Sequence, residues 1–405
     1  MNIAVAQSGG PTCAINASLG GVYKAGIASE SVHTVYGALN GIEGIIDERL
    51  VDLSDYLQTD EDYELLIRTP SAVLGSCRRK LPDYHQDSEI YEKITESFKR
   101  HDIGMFFYIG GNDSMDTVNK LSKYYKEKSI DIKVIGIPKT IDNDLCETDH
   151  CPGFGSAAKY VAATVQEITR DSNVYSIPSV TIIETMGRHA GWLTAASCCI
   201  RANGESAPHL VYLPEETFSG ERFIEDVKKE MEKHKAVIAI VSEGVKNSDG
   251  RFSGESCQSN KVDAFGHSYL SGIGKYLENL VTERIGCKVR SIELNVMQRC
   301  SSHIASMTDI NESQQIGSAA VEAALNGLTG HTMIFKRESI KPYKLTISSV
   351  PAEKTANSER FFPVGWITAE KNNVTQEAIE YLMPLIQGEL HPMMKNGMPM
   401  HMIIE

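Results

Sequence analysis

The chain has 405 residues, 41% of them hydrophobic, and a formal net charge of −13. It can bury large cores but has no basic stripe to neutralise a nucleic acid's phosphates. No window approaches the roughly 18–20 apolar residues of a membrane span, the N-terminus enters a strand with no basic leader, and nine scattered cysteines suit reduced thiols in a cytoplasmic protein.

Taken in order, Ile3 to Ala6 reads as a short buried strand. It is followed by Q-S-G-G-P-T and the helical pattern A-I-N-A-S-L-G-G-V-Y. Strand, glycine turn and helix form a phosphate-cradling arrangement, although no Walker A or G-x-G-x-x-G pattern is present. Thr34 to Tyr36 is a second strand. Leu74 to Lys80, L-G-S-C-R-R-K, is a loop ending in three cations. Such a run is ordinarily a solvated face, but in so acidic a chain Arg78 and Arg79 are candidates for phosphate contact. Ser88 to Arg100 is an amphipathic helix.

Met105 to Ile109 is an apolar run that stops at Gly110 and Gly111, as a buried strand does on reaching a loop. Asn112 and Asp113 follow, and a helix runs on after Ser114. Ile132 to Ile137 is the next buried strand, ending in P-K-T-I-D-N-D. In an open parallel sheet the carboxyl ends of neighbouring strands face the ligand crevice, so both polar clusters empty into one site. Asp113, Asp142 and Asp144 beside a bare-backbone loop would repel a phosphate unless cations intervened. Mg²⁺ and Lys139 meet that need, and an aspartate can take the proton of an attacking hydroxyl.

A long helix opens after T-D-H-C-P-G-F-G-S. Cys146, His150 and Cys151 match no zinc-ligand spacing. Val180 to Ile183 is a strand ending in E-T-M-G-R-H-A-G, where Gly187 and Gly191 bracket Arg188 and His189; an arginine there can fork onto a phosphate. His189 by itself reads as a structural histidine. Leu210 to Leu213 and Ala236 to Val241 are further strands, the latter ending in S-E-G with Glu243. Ser291 to Val296 reads as an irregular strand flanked by Arg290 and Arg299. A helix over Ile316 to Leu325, a hairpin beyond Gly330, a surface segment over Glu353 to Phe362, a helix near Gln376 to Leu385 and a Met-rich tail complete the chain. The repeated strand–loop–helix alternation means α/β architecture with parallel-rich sheets.

Q-S-G-G-P-T, G-S-C-R, G-G-N-D-S, P-K-T-I-D-N-D, M-G-R, S-E-G and the Arg290–Arg299 segment, in that order, resemble the phosphofructokinase family from Ala4 to about Arg360. The resemblance implies two doubly wound, Rossmann-like α/β domains with the active site between them. The phosphoryl-donor domain would be 1–150 plus about 297–365, and the sugar-phosphate domain about 151–296 plus about 366–405. ATP-dependent members resemble G-G-D-G-S and P-G-T-I-D-N-D, and pyrophosphate-dependent members G-G-D-D-S and P-K-T-I-D-N-D. Asp113 and Lys139 are of the pyrophosphate kind. Asp113 would fill the room a nucleotide's α-phosphate needs, and Lys139 would add a fixed charge for the compact anion. Asn112 departs from the pattern, standing where many members carry a magnesium-associated Asp, so that the metal would lean on Asp113 or Asp144.

The resemblance further implies Asp142 as general base on the sugar 1-hydroxyl, with Lys139 and Thr140 beside it. Gly10, Arg78, Arg79, Gly111, Asn112, Asp113 and Lys139 would hold pyrophosphate. Met186, Gly187, Arg188, Glu243 and Arg299, with Thr140 and Asp142, would hold fructose 6-phosphate, and Arg290 would come from a neighbouring subunit of a homodimer or homotetramer. Ser179 and Val296 stand where ATP-dependent members place an arginine and a histidine on the sugar phosphate, which admits sedoheptulose 7-phosphate as a second acceptor. The implied reaction is Mg²⁺-dependent, reversible phosphoryl transfer from pyrophosphate to fructose 6-phosphate. An ATP-dependent enzyme and a non-catalytic regulatory subunit are the alternatives.

Overall fold

The computed structural model describes residues 1–254 and 272–405. Two sheets organise it. The larger comprises β1 (Asn2–Gln7), β2 (Val35–Ala38), β3 (Leu50–Asp52), β4 (Ile103–Gly110), β5 (Lys133–Pro138), β10 (His331–Ile340) and β11 (Tyr343–Pro351), in the spatial order β11-β10-β5-β4-β1-β2-β3. Its interior is parallel, with Val5 opposite Phe107 and Phe107 opposite Ile135, while β3 and β11 close the edges antiparallel. The smaller sheet comprises β6 (Ser179–Thr185), β7 (Leu210–Tyr212), β8 (Ala236–Ser242) and β9 (Lys288–Glu293), ordered β7-β8-β6-β9 and parallel throughout.

The near-continuous apolar runs follow from coverage of both faces. In β4, Met105, Phe107 and Ile109 enter one core and Phe106 and Tyr108 another. In β8, Ile238 and Ile240 point one way and Val237, Ala239 and Val241 the other. Helices Ile15–Ile27 and Met307–Leu325 lie on one face of the larger sheet, and Glu89–Arg100 and Asn112–Glu127 on the other. Helix Phe154–Ser172 covers one face of the smaller sheet, and Gly220–Met231 and Ile273–Arg284 the opposite one. Among the described residues no helix is long and apolar enough to cross a membrane.

Four expectations change. The strand expected over Ser291 to Val296 is Lys288–Glu293, because Asn295 turns into the left-handed region (φ 43°) and breaks the ladder. Arg290 therefore lies inside β9, beside Thr181. The helix expected from Ile316 begins at Met307, one residue after Ser306, whose hydroxyl caps Asp309. Its first turns bury Asp309, Glu312 and Ser313, whose polarity hid the periodicity. The Glu353–Phe362 segment is not all surface. Phe362 is 1% exposed, with its ring 5.0 Å from Trp192 and 5.9 Å from Trp366. Phe362→Ala is expected to cost about 3–5 kcal/mol, which a denaturant titration would register. Finally, the chain's end does not stay with the smaller sheet. Met402 and Ile404 pack on the larger sheet's core, and the Met402 amide donates to Thr69 Oγ1 (2.8 Å).

Candidate active site

β1, β4 and β5 of one sheet and β6 and β8 of the other end in loops that line one cleft of about 320 Å³. On the larger sheet, the loop after β1 is stitched to the G-S-C-R loop. The Gly9 amide donates to Cys77 O (3.2 Å), and Ser76 Oγ donates to Gly9 O (2.7 Å). These bonds bring Arg78 and Arg79 to the rim. Gly9 has φ +76°, and a Cβ there would sit 3.2 Å from Lys139 Nζ. Only glycine combines that conformation with so close an approach. Gly110 serves packing rather than a ligand, since a Cβ would lie 2.0 Å from Ser114 Oγ, whereas Gly111 faces the cleft.

Lys139 is 2% exposed and donates from Nζ to Gly10 O (2.5 Å). Burial is the largest influence on it and pulls its pKa down to about 8, against the pull of Asp144 and Asp142. The T-I-D-N-D turn is shaped locally. Asn143 takes φ 55° and accepts from the Cys151 amide through Oδ1, while Thr140 Oγ1 accepts from the Asp142 amide (3.1 Å). Asp142 is held above the usual carboxylate range by burial and then by Asp144, with Arg299, Lys139 and Arg188 opposing. Its Oδ1 is buried with no hydrogen-bond partner among the described residues. Burial raises Asp144 too.

From the smaller sheet, β6 delivers Met186, Gly187 and Arg188. Gly187 takes φ +130°, its carbonyl accepts from Ser242 Oγ (2.6 Å), and a Cβ would strike Ala190 O at 2.6 Å. Its amide donates to Glu243 Oε1 (3.3 Å). Burial, then the charge of Asp142, pushes Glu243 up to about 8. Arg299, on the short helix Met297–Cys300, reaches the β1 loop; a Cβ on Gly10 would lie 3.1 Å from its guanidinium.

The cleft thus brings together Gly10, Arg78, Arg79, Gly111, Asn112, Asp113, Lys139, Thr140, Asp142, Asp144, Met186, Arg188, Glu243 and Arg299. Gly187 contributes its amide from behind. Arg290 does not join them: it pairs with Asp171 (2.9 Å) on the surface and lines a separate groove with Ser179. Asp113 pairs with Lys80 (2.9 Å), so its charge is already countered. Sequence reasoning missed His189 and Glu359 as cleft groups. The M-G-R-H run offered a signal for His189, whereas Glu359 sits in a segment with none.

Buried carboxylates, a buried lysine and several arginines converging between two doubly wound sheets define a phosphotransferase. The family profile "Phosphofructokinase" matches residues 2–324, and the chain belongs to the phosphofructokinase family. It is 39% identical to pyrophosphate–fructose 6-phosphate 1-phosphotransferase of Methylococcus capsulatus, over 98% of this chain and 94% of that one. It is also 39% identical to the protein of that name from Xanthomonas campestris pv. campestris, over 96% and 92%. The crystal structure of pyrophosphate-dependent phosphofructokinase from Marinobacter aquaeolei superposes with a TM-score of 0.87 at 36% identity, covering 100% of this chain and 97% of that one.

Proposed function

We propose that the protein transfers a phosphoryl group reversibly from pyrophosphate to the 1-hydroxyl of fructose 6-phosphate, giving fructose 1,6-bisphosphate and phosphate. The observation that carries this reading is Lys139, a buried cation fixed between the β1 loop and the D-N-D turn, with Asp113 at the start of the neighbouring helix. A compact, highly charged anion fits such a point charge. A nucleotide would have to pass the Asp113–Lys80 pair.

Mg²⁺ fits the oxygens present. Asn112 Oδ1 is buried without a hydrogen-bond partner among the described residues and lines the same cleft as the buried Asp144 carboxyl. Among those residues no group of three or more His, Cys, Asp or Glu forms a cage of its own. That suits an ion held by one or two protein oxygens plus substrate phosphates. Asp144 and Asn112 would hold it, while Asp113 is engaged by Lys80. When bound, the ion offsets the charge of the phosphoryl donor. Asp142 takes the proton of the 1-hydroxyl as that oxygen bonds to phosphorus, and the bond to the leaving phosphate breaks. Lys139 steadies the charge left on that phosphate. Met186, Arg188, Glu243 and Arg299 orient the sugar phosphate.

The decisive assay follows fructose 1,6-bisphosphate formation with Mg²⁺ and either pyrophosphate or ATP. Turnover with pyrophosphate and little with ATP is expected; strong ATP turnover would refute the role given to Asp113. An alkaline limb is also expected. Lys139 acts as a cation, so kcat/KM for pyrophosphate should fall as pH rises through about 8, and Lys139→Arg should move that limb upward.

We also place the enzyme in the cytoplasm, supported by every described cysteine being free, and read it as a homodimer or homotetramer. Exposed Val174, Tyr175 and Ile177 beside the Arg290 groove support a second copy there. Sedimentation velocity checks this, and a monomer at assay concentration would remove it.

A further inference from the structure

Residues 358–360 cross the donor side of the cleft. Asn112 Nδ2 donates to Ser358 O (2.8 Å), and the Arg360 amide donates to Asp144 O (2.7 Å). Glu359, between them, is anchored beside both the donor helix and Asp144. Its charge contributes to raising the Asp144 carboxyl. His189 approaches from the opposite sheet, in the loop after β6. Its Nδ1 lies 2.8 and 2.9 Å from the two Glu359 oxygens. A carboxylate only accepts, so Nδ1 donates. Nε2 has no partner among the described residues, and the ring lines the cleft beside Arg188.

A strut joining the two bodies would explain the Glu359 contact alone. A part-exposed pair of this kind contributes little to stability and gives no reason for the ring to line the cleft with its second nitrogen unpaired among the described residues.

We propose that His189 is a further substrate-contacting residue, whose Nε2 donates to an oxygen of the inorganic phosphoryl donor while Glu359 positions the ring. The proposal rests on the pyrophosphate reading and deepens it. With Glu359 on Nδ1 and a donor oxygen facing Nε2, each ring nitrogen has a partner once the donor is bound. The contact spans the cleft: a group from the smaller sheet touches a ligand held by the larger one, so donor binding draws the two walls together.

The test measures KM for pyrophosphate and for fructose 6-phosphate, with Mg²⁺, in wild type, His189→Asn, His189→Gln and Glu359→Gln. Asparagine carries its amide nitrogen near the Nδ1 position, keeping the Glu359 bond and losing the donor contact. Glutamine carries it near Nε2, doing the reverse. His189→Asn is expected to raise the pyrophosphate KM about tenfold to a hundredfold, leaving the sugar KM within about twofold and the thermal midpoint unchanged. His189→Gln and Glu359→Gln should raise it less. Calorimetric binding of magnesium imidodiphosphate to Asp142→Asn should weaken by the same factor when His189→Asn is added.

An unchanged pyrophosphate KM in His189→Asn, or a rise confined to the sugar KM, would overturn the proposal. If His189→Asn does not fold, His189→Gln decides, since a strut predicts a lower thermal midpoint with unchanged pyrophosphate KM. Absence of pyrophosphate turnover in the wild type would instead overturn the functional reading beneath it.

Discussion

Asp142→Asn is expected to lower kcat by about 10²–10⁴ while leaving the fructose 6-phosphate KM nearly unchanged. The carboxyl is buried, its Oδ1 faces no partner among the described residues, and burial together with Asp144 raises its proton affinity. These are properties of a group waiting for a proton. Asparagine keeps the shape and the Asp142 amide's bond to Thr140 Oγ1, but its amide cannot take the hydroxyl proton. The substitution also removes the charge that helps push Glu243 up, so the sugar side of the cleft loses a repulsion rather than a contact. Steady-state kinetics in both directions would check this. Near wild-type turnover would exclude Asp142 as the base, whereas a large rise in sugar KM would make it a binding group.

Lys139→Met is expected to cut kcat/KM with pyrophosphate by about 10²–10³, the scale for losing one preorganised charge in a phosphoryl-transfer site. Stability should move the other way. A lysine pushed down to about 8 is harder to protonate in the folded state than in the unfolded chain. Folding therefore works against its charge in full below about 8, and that penalty fades as pH rises from there to the unfolded value, above which it is gone. Methionine matches the aliphatic stem and removes the penalty, although Gly10 O loses its donor. A thermal midpoint equal to or above wild type, with pyrophosphate turnover nearly abolished, is the expected pair of results. A protein that unfolds, or one that keeps its turnover, would contradict the assignment.

The two variants separate roles that the cleft places side by side. Asp142 handles the acceptor's proton, so its loss should appear in kcat. Lys139 meets the donor's charge, so its loss should appear in kcat/KM for pyrophosphate and hardly at all in sugar binding.

The strands that carry the site could be read from the sequence because both faces of each sheet are covered. An apolar run such as Met105 to Ile109 has no polar side to confuse it, and it stops where the chain leaves the sheet. The same strand ends place Asn112, Asp113, Lys139, Asp142, Asp144, Arg188 and Glu243 at one edge. Local turn chemistry such as the left-handed Asn143 needs no distant partner.

Other features were settled only by the tertiary structure. Asp309, Glu312 and Ser313 looked like a break in apolar periodicity, yet they are buried because Gly153, Ser156, His150 and Tyr343 bond Asp309 and Glu312 from far along the chain. Phe362 and Glu359 lie three residues apart in one irregular segment. One enters the core against Trp192 and the other enters the cleft against His189, and nothing in their neighbours' identities separates them. Arg290, expected to serve a neighbouring subunit's site, is carried by its strand to Asp171 at a surface outside this chain's own cleft. Backbone periodicity and turn preference act over a few residues, so the sequence alone could establish the strands, the turns and the polar groups at their ends. Which of those groups meet, and which buried charges find a partner, depends on contacts between residues up to a few hundred positions apart, and only the packed chain decides them.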